Sequence, residues 1–432
     1  MIFFKSLPAT ASLFLLLVID PPPISAKLLP LAIQKIHHGA VHRTHNLARD
    51  LRLAFGGALA SRAVSAKASN GVVYCKPRKQ GVLGGGHSGG GGNTTSSVGT
   101  SRGTATRTKT TTIASPTTTS SPSSPWKVAA SFSGSNFFDG WDFFTGSDPT
   151  QGIVNYVDEN TARSSGLLEI NSAGNAVMRV ETTPTVSANR MSVRIATQYQ
   201  YTGGLLVMDS VHMPTGCGIW PAFWSDGPNW PAGGEIDIIE GVNDYTNNQA
   251  TIHTNVGCTI ASTSSATLAI SGSVIGGTNC AALTTGNQGC GIRSSSATSY
   301  GPGFNTNNGG IYAMKWDSTG IAIYFFPRTS IPADITAGAP LPDTWGAAQA
   351  RWPAASCDPF TFFNNHQAIF DTTLCGDWAA AVWSSSGIPG QEQSCAQRTG
   401  VATCEAFVRA NGASMAQAYW EIKNLTIYQL KN

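Results

Sequence analysis

From about Trp126 onward, the chain is built of short segments in which apolar and polar residues alternate with a period of two. The segments are rich in β-branched and aromatic residues, and glycine, asparagine, aspartate and proline stand between them. Successive side chains of a β-strand point to opposite faces of a sheet, so this pattern is typical of strands with one buried face. No segment has a helical pattern of three turns. The sequence therefore predicts an all-β domain, a sandwich of two antiparallel sheets.

The alternation is clearest in five segments and in one hairpin. Tyr312–Trp316 and Ile321–Phe326 flank Asp317-Ser-Thr-Gly320, a turn short enough to join neighbouring antiparallel strands. We therefore expect these two segments to pair directly. The other segments with clear alternation are Val177–Glu181, Met191–Ile195, Leu205–Val211, Ile236–Ile239 and Ala250–Thr254.

The first 26 residues have the features of a secretory signal peptide. Lys5 precedes the apolar run Leu13–Ile19, and Ser25 and Ala26 offer a cleavage site with small side chains. A membrane anchor is the alternative, but Asp20 and three prolines end the run well short of the ~20 residues that span a bilayer. We expect a secreted protein, extracellular or in the cell wall, with no membrane association after signal removal.

Two further segments precede the strand-rich region. Residues 27–80 are basic and predict a pro-segment or a disordered tail. Residues 81–125 are rich first in glycine and then in serine, threonine and proline, which is typical of a flexible linker. We therefore divide the chain into a signal peptide (1–26), a basic segment (27–80), a linker (81–125) and a catalytic domain (126–432).

The balance of charged residues differs between residues 1–125 and the strand-rich region that follows. Residues 1–125 hold 14 Lys and Arg against two acidic residues, whereas residues 126–432 hold 13 against 22. All 11 tryptophans lie in the acidic part. Nucleic-acid binding depends on a basic surface that neutralises phosphates, so the acidic domain is not expected to bind nucleic acid.

Eight of the nine cysteines lie in the strand-rich region, which fits up to four disulfides formed in an oxidising compartment. No Cys-x-x-Cys spacing supports a zinc site. Spacing alone leaves the pairing open, and the local pairs Cys280/Cys290 and Cys395/Cys404 are the simplest candidates. The Asn-x-Thr triplets at Asn93 and Asn424 agree with a secretory route.

The most informative stretch is Gly-Gly-Glu-Ile-Asp-Ile-Ile-Glu, which places Glu235, Asp237 and Glu240 within six residues. Glu235 and Asp237 share one face of a strand, but regular alternation would turn Glu240 into the core. A β-bulge at Ile238–Ile239 adds one residue and returns Glu240 to the same face. The sequence thus predicts three carboxylates on one face of one strand.

Crowded carboxylates do not all ionise easily, so at least one should keep its proton. A retaining glycosidase needs this combination, an ionised nucleophile and a protonated acid on either side of the bond to be cut. Calcium binding is the alternative, but calcium sites gather six to eight oxygens in a loop, and here the acids alternate with isoleucines. We therefore predict catalysis and no metal.

Trp220, Trp224 and Trp230 surround this cluster in the sequence. Flat aromatic faces suit the apolar C–H faces of sugar rings, so all three are candidates for substrate binding. Large tryptophans also fill sandwich cores, and Trp220 fits that role equally well.

Together with further motifs, the acidic cluster resembles the active-site strand of glycoside hydrolase family sixteen, in its laminarinase-like branch. The likeness extends over most of Trp126–Tyr428 and is strongest to secreted fungal endo-β-1,3(4)-glucanases. The motifs that carry it are Asn136-Phe-Phe-Asp-Gly-Trp141, His212-Met-Pro214, Trp220-Pro-Ala-Phe-Trp224, Phe326-Pro-Arg328 and Cys375-Gly-Asp-Trp378.

The resemblance implies a concanavalin-like β-jelly roll with a glucan cleft across one sheet. It implies Glu235 as the nucleophile, Glu240 as the general acid and then base, and Asp237 as the residue that holds the nucleophile's geometry and charge. His253 and Trp378 match a family histidine and a family aromatic at the cleft. On the sequence alone, His253 could equally be a core residue.

The leading hypothesis is a secreted, retaining endo-glucanase that cleaves β-1,3 or mixed β-1,3/1,4 linkages and acts as a monomer on β-glucan polysaccharide without a cofactor. A transglycosylase of the same family shares the first chemical step, and the motif does not separate the two. A non-catalytic glucan-binding protein would tolerate loss of either glutamate, and both Glu235 and Glu240 are present.

Overall fold

The structure, a computed structural model, describes residues 123–431. Two large antiparallel sheets dominate this part of the chain and pack face to face. The predicted sandwich is confirmed, and its architecture is that of a β-jelly roll. The predicted signal peptide, the predicted basic segment and nearly all of the predicted linker lie outside the described residues.

One sheet contains the acidic cluster and is called the site sheet. Its strand order is β12-β13-β11-β10-β9-β17-β7-β2, and every neighbouring pair is antiparallel. The strands are β2 (Trp141–Phe143), β7 (Ile195–Thr197), β9 (Ile219–Asp226), β10 (Glu235–Glu240), β11 (Gln249–His253), β12 (Ser273–Ile275), β13 (Cys290–Arg293) and β17 (Gln367–Leu374).

The other sheet is called the opposite sheet, and its order is β16-β15-β14-β8-β18-β5-β4, with β1 also paired to β18. The strands are β1 (Trp126–Ser133), β4 (Leu168–Ile170), β5 (Ala176–Arg179), β8 (Gly204–His212), β14 (Gly310–Asp317), β15 (Gly320–Pro327), β16 (Ala350–Pro353) and β18 (Tyr419–Leu430).

The predicted hairpin is confirmed as β14 and β15. The two strands pair without a register shift, from Gly310 opposite Pro327 to Asp317 opposite Gly320. Asp317 explains the turn, because its Oδ1 accepts a hydrogen bond from the Thr319 amide at 2.9 Å. Gly320 has φ +130°, a conformation that side chains disfavour.

The predicted strand Met191–Ile195 is divided in two. Its first part belongs to β6 (Arg190–Ser192), which pairs in parallel with β3 (Val154–Tyr156) outside the two large sheets. Its last residue begins β7 in the site sheet. The chain changes partners at Val193 and Arg194, so alternation predicted the extended backbone but not the break.

Helices in the described residues are short, as the missing helical pattern predicts, and the longest has seven residues. They are α1 (Glu159–Ser164), α2 (Ser265–Leu268), α3 (Ala282–Thr285), α4 (Gly301–Thr306), α5 (Ala333–Thr336), α6 (Pro359–Phe362), α7 (Gly376–Ala379), α8 (Cys395–Thr399) and α9 (Cys404–Ala410).

The main core lies between the two sheets and receives alternate side chains from both. Residues from the inner faces of the two sheets share a single apolar cluster, in which each is almost completely buried. Burial of this apolar surface is the main force that holds the sheets together. Representative members are Phe223, Ile236, Ile252 and Phe370 of the site sheet, and Met208, Met314, Ile323 and Leu425 of the opposite sheet.

Four disulfides connect the eight cysteines of this region. The local pair Cys280–Cys290 is confirmed, but the pair Cys395/Cys404 is wrong. Those two cysteines begin neighbouring helices, and each bonds to a cysteine outside both helices. The partners are 178 residues away for Cys395 and 29 residues away for Cys404, so tertiary folding and not sequence distance decides the pairing. The remaining bonds are Cys217–Cys395, Cys258–Cys357 and Cys375–Cys404.

The described helices were also compared with the length and hydropathy of a membrane span. None of those between residues 123 and 431 is long and apolar enough to cross a membrane.

Candidate active site

Strand β10 contains the predicted bulge. In its pairing with β9, Glu235 lies opposite Asp226 and Asp237 lies opposite Trp224. The register then shifts, so that Ile239 lies opposite Phe223. The shift returns Glu240 to the face of Glu235 and Asp237, while Ile236 and Ile239 are fully buried in the core on the other face. The three carboxylates therefore project from one side of the site sheet.

Asn248, which sequence reasoning missed, holds the bulge in place. Its Oδ1 accepts a hydrogen bond from the Glu240 amide at 3.0 Å, and its Nδ2 donates to the Ile238 carbonyl at 2.9 Å. A bulge leaves backbone groups without ladder partners, and this buried amide satisfies two of them. An Asn just before a strand gives no sequence signal for such a role.

The loop before β10 is fixed by close backbone packing. Gly234 has φ +79°, and a Cβ atom there would lie 2.3 Å from a ring carbon of Phe363. The carbonyl of Gly233 lies 2.9 Å from Nε2 of His366, a buried histidine whose other ring nitrogen lies 2.9 Å from the Ser225 hydroxyl. These contacts determine where Glu235 begins the strand.

Glu235, Asp237 and His253 form a tight group. One carboxylate oxygen of each acid and one ring nitrogen of His253 lie within 4.8 Å of one another. His253 lies opposite Glu235 in the pairing of β10 with β11, and its Nε2 is 3.3 Å from Oδ2 of Asp237. The structure thus brings the predicted histidine to the carboxylates.

Asp237 lies between the two glutamates in sequence and is 2% exposed, whereas both glutamates are partly exposed. Burial, reinforced by the negative charges of Glu235 and Glu240, raises the pKa of Asp237 well above its usual range. A hydrogen bond between the carboxyl groups of Asp237 and Glu235 acts in the same direction. Burial and the neighbouring acids therefore favour the protonated form of Asp237.

Two of the predicted tryptophans contact the glutamates through their indole N–H groups. Trp220 donates to Oε1 of Glu240 at 2.8 Å, and Trp230 donates to Oε2 of Glu235. Trp230 is partly exposed, but Trp220 is only 6% exposed and belongs to the core cluster.

The other two aromatic candidates differ in exposure. Trp224 is partly exposed, and it lies opposite Asp237 in the pairing of β9 with β10. Trp378 is buried in helix α7, with its ring edge-on to that of Trp220 at 5.6 Å. The structure therefore brings all eight predicted site residues to one region, but only some of them present accessible surface.

A second acidic group on the same face was not predicted. Asp226 lies opposite Glu235, and Asp371 lies one strand further along the sheet. Burial and the charge of Glu235 raise the pKa of Asp226 to about 6. Burial raises the pKa of Asp371 to about 7, although the positive charge of Arg194 opposes the shift at both sites.

Arg194 connects this second group to the predicted cluster. Its guanidinium lies 4.9 Å from the ring of Trp224 and 4.6 Å from the ring of Phe144. Alternation along β9 could have placed Asp226 on the face of Trp224. No signal in the sequence links Arg194 or Asp371 to the site.

Two groups of side chains in the described residues have metal-ligand spacing. Cys217, Asp244 and Cys395 form one, but both sulfurs are joined in a disulfide. Glu235, Asp237 and His253 form the other, and they offer three donors where calcium takes six to eight oxygens. The arrangement fits the sharing of a proton between acids better than the enclosure of an ion.

A two-sheet sandwich with two glutamates and a buried aspartic acid of raised pKa on one strand, bordered by tryptophans, fits a β-sandwich glycoside hydrolase. The sequence profile of the XgeA-like catalytic GH16 domain matches residues 141–428. The chain belongs to this family, glycoside hydrolase family 16.

Curated relatives agree with this assignment. A probable glycosidase of Schizosaccharomyces pombe is 41% identical over 286 residues, which make up 66% of this chain and 64% of the relative. The endo-1,3(4)-beta-glucanase xgeA of Emericella nidulans is 38% identical over 288 residues, 66% of this chain and 44% of the relative. The chain thus spans between about two fifths and two thirds of the length of these proteins.

Solved structures cover the same region. Laminarinase 16A of Phanerochaete chrysosporium, determined with beta-glucans in both donor and acceptor sites, is 37% identical with a TM-score of 0.63. The match covers 70% of this chain and 99% of that structure. An elongating GH family 16 beta-1,3-glucosyltransferase is 36% identical with the same TM-score, and its match covers 70% of this chain and all of that structure.

Proposed function

We propose that this protein is a secreted, retaining endo-glucanase that cleaves internal β-1,3 or mixed β-1,3/1,4 linkages of β-glucans. Membership of family 16 supports the reaction class, and the names of the curated relatives and the glucans bound by laminarinase 16A support the substrate. The observation that carries the proposal is the shared face of Glu235 and Glu240, with the buried Asp237, whose pKa is raised, on the same strand between them.

In the first step, a carboxylate oxygen of Glu235 attacks the anomeric carbon while Glu240 gives its proton to the departing glycosidic oxygen. The C–O bond to the leaving sugar breaks as the bond to Glu235 forms. In the second step, a water molecule gives a proton to Glu240 and attacks the same carbon, which releases Glu235. The configuration at that carbon is retained because it inverts twice.

Asp237 would stabilise Glu235 through a hydrogen bond that responds to the charge of Glu235. While Glu235 is ionised, the protonated Asp237 donates a hydrogen bond to it and avoids a second buried negative charge. When Glu235 is esterified, its charge disappears and Asp237 can share its proton in a hydrogen bond with His253, whose Nε2 lies 3.3 Å from Oδ2 of Asp237. The aspartic acid thus adjusts to both states of the nucleophile.

Substrate binding is assigned to the accessible aromatic and polar groups around the carboxylates. Trp224 and Trp230 are partly exposed, and we assign them to sugar binding. His253 borders the nucleophile but is only 7% exposed. Trp220 and Trp378 are almost completely buried, so we give them at most edge contacts with the substrate.

Transglycosylation is the second candidate, because an elongating glucosyltransferase of the family is as similar in fold and identity as the laminarinase. There a sugar hydroxyl replaces water in the second step. A non-catalytic glucan-binding protein is the third candidate. Such a protein would not need both glutamates, Glu235 and Glu240, on the same face as a buried aspartic acid.

Product analysis distinguishes these functions. We expect the chain to release oligosaccharides from laminarin or lichenan but not from cellulose, and Glu235→Gln to abolish release while glucan binding persists. Lengthened products in the presence of an acceptor oligosaccharide would favour the transferase. Unchanged hydrolysis by Glu235→Gln would exclude Glu235 as the nucleophile, and binding without any reaction would leave a lectin-like function.

We also propose secretion, with a signal peptide at residues 1–26 and a catalytic domain from residue 126. Four disulfides among the described residues support an oxidising compartment. Expression in a fungal host, followed by mass determination of the product in the medium, tests the division. Retention of the whole chain inside the cell would contradict it.

A further inference from the structure

The indole of Trp220 is placed to act on Glu240 and not on a sugar. Its N–H donates to Oε1 of Glu240 at 2.8 Å, and its ring is buried in an apolar cluster on the same face of β9 as Trp224. A ring that is 6% exposed has little surface to stack on a substrate. Its polar edge, in contrast, touches a carboxyl group assigned to proton transfer.

The ring of Trp220 is held on several sides. Trp378 packs edge-on against it at 5.6 Å and 89°, and Tyr245 packs edge-on against Trp378 at 6.0 Å and 80°. Gly376 leaves room for the ring, since a Cβ atom there would lie 3.3 Å from Cζ3 of Trp220. The Cys375–Cys404 disulfide fixes the start of this helical turn. The indole N–H therefore has a defined direction.

We propose that Trp220 is a positioning residue that determines which oxygen of Glu240 holds the catalytic proton. The inference rests on the proposed function, in which Glu240 is the general acid. An indole N–H only donates, so Oε1 must act as the acceptor of that hydrogen bond. A neutral carboxylic acid has one carbonyl oxygen and one hydroxyl, and the carbonyl oxygen is the better acceptor. The proton is thus assigned to Oε2.

The same contact acts in both steps of the reaction. In the first step, the proton leaves Oε2 for the glycosidic oxygen, and the N–H stabilises the negative charge that develops on Glu240. In the second step, the carboxylate takes a proton from water, again at Oε2, because Oε1 stays engaged. Since both transfers use a single oxygen, the acid does not rotate between steps.

The test uses the dependence of rate on the leaving group. Trp220→Phe retains a ring but lacks the N–H. We expect kcat/KM on laminarin, whose leaving group needs a proton, to fall about 10- to 100-fold, the effect of one hydrogen bond to a charged group. On 2,4-dinitrophenyl β-laminaribioside, whose leaving group needs none, kcat/KM should change less than about 3-fold.

Two reference variants separate the possible outcomes. Trp383→Phe removes a buried indole N–H that donates to a backbone carbonyl at 2.9 Å away from the carboxylates, and it should leave the ratio of the two kcat/KM values unchanged. Glu240→Gln should show the leaving-group dependence at full strength. If Glu240→Gln lacks that dependence, the proposed function fails; if Glu240→Gln shows it and Trp220→Phe does not, this inference alone is wrong.

An equal loss by Trp220→Phe on both substrates would indicate a structural role and would overturn the proposal. If that variant does not fold, a benzothiophene analogue of tryptophan at position 220 provides the same test, because it replaces N–H by sulfur in a ring of nearly equal size. The analogue should give the same selective loss on laminarin. A wild-type ratio with the analogue would contradict the inference.

Discussion

The two sheets of the sandwich differ in the partners of their carboxylate side chains. In the opposite sheet, carboxylates meet basic side chains: Asp209 receives two hydrogen bonds from the guanidinium of Arg328, and Lys315 lies within 3 Å of both Asp317 and Asp343. In the site sheet, carboxylates meet other carboxylates, and Arg194 is the cation that opposes the pKa shifts of the second acidic group.

This difference separates charges that support the fold from charges that serve chemistry. A paired carboxylate is stabilised in its ionised form, so folding favours the charge. A buried carboxylate beside other acids retains a proton, and ionising it in the folded protein costs free energy. The site sheet accepts that cost at Asp226, Asp237 and Asp371. In return it contains two carboxyl groups, Asp226 and Asp371, whose pKa values of about 6 and about 7 allow proton exchange near neutral pH.

After loss of the nucleophile, the largest effect is expected from Asp237→Asn. Asparagine keeps a hydrogen-bond donor beside Glu235 but cannot gain or release a proton when the charge of Glu235 changes. We expect kcat on laminarin to fall on the order of 10²-fold, within the range of groups that manage protons, with KM changed little. Steady-state kinetics from pH 4 to 8 provide the measurement.

Asp237→Ala serves as the comparison for this variant. It removes the donor as well as the proton, so it should be slower than Asp237→Asn. Equal activity of the two variants would mean that the hydrogen bond to Glu235 contributes nothing, and wild-type activity of Asp237→Asn would remove Asp237 from proton management.

The parts of the site that the sequence could predict are those with local sequence signals. Strand β10 was predictable in detail, because three acids within six residues and the isoleucines between them require both the alternation and the bulge. Its neighbours on β9 and β11 were found because the tryptophans and His253 lie close in the sequence or match a family motif. These signals are local.

The features that were missed depend on contacts between distant segments. Asp371 becomes a site residue only when β17 pairs with β9, and Arg194, the residue before β7, only when β7 pairs with β17. The same is true of the long-range disulfides, for which sequence distance suggested Cys395/Cys404 and folding selects other partners. Spacing alone does not carry such information.

A pH-dependent effect on stability is expected from Asp371→Asn. Burial raises the pKa of Asp371 to about 7, against about 4 for an unfolded chain, so the folded protein binds a proton that the unfolded chain has released between these values. Stability from this group is therefore present below about pH 4 and is lost as the pH rises toward and through 7. Asparagine does not titrate and avoids the loss.

We expect Asp371→Asn to exceed wild type in unfolding free energy by about 1 kcal/mol at pH 5 and by roughly 4 kcal/mol at pH 8, because each pH unit between the two pKa values is worth about 1.4 kcal/mol. Urea denaturation at the two pH values provides the measurement. The exposed Asp139 offers the matched control, because Asp139→Asn should change stability little at either pH. A destabilised Asp371→Asn at pH 8 would mean that the ionised carboxylate is held by partners strong enough to reverse the cost of burial.

The smallest effect is expected from the opposite sheet, at Asp209→Asn. The carboxylate of Asp209 receives both arms of the Arg328 guanidinium, at 2.6 and 3.0 Å, and the arginine also donates to the carbonyls of Ser210 and Asn308. Loss of the charge weakens one pair while the other hydrogen bonds remain, so we expect a loss of about 1–2 kcal/mol in unfolding free energy. Because this pair lies on the other sheet, kcat/KM on laminarin should stay within about 2-fold of wild type. A loss of activity out of proportion to the loss of stability would show that the two sheets are coupled, and the division of their charges into structural and chemical sets would then be wrong.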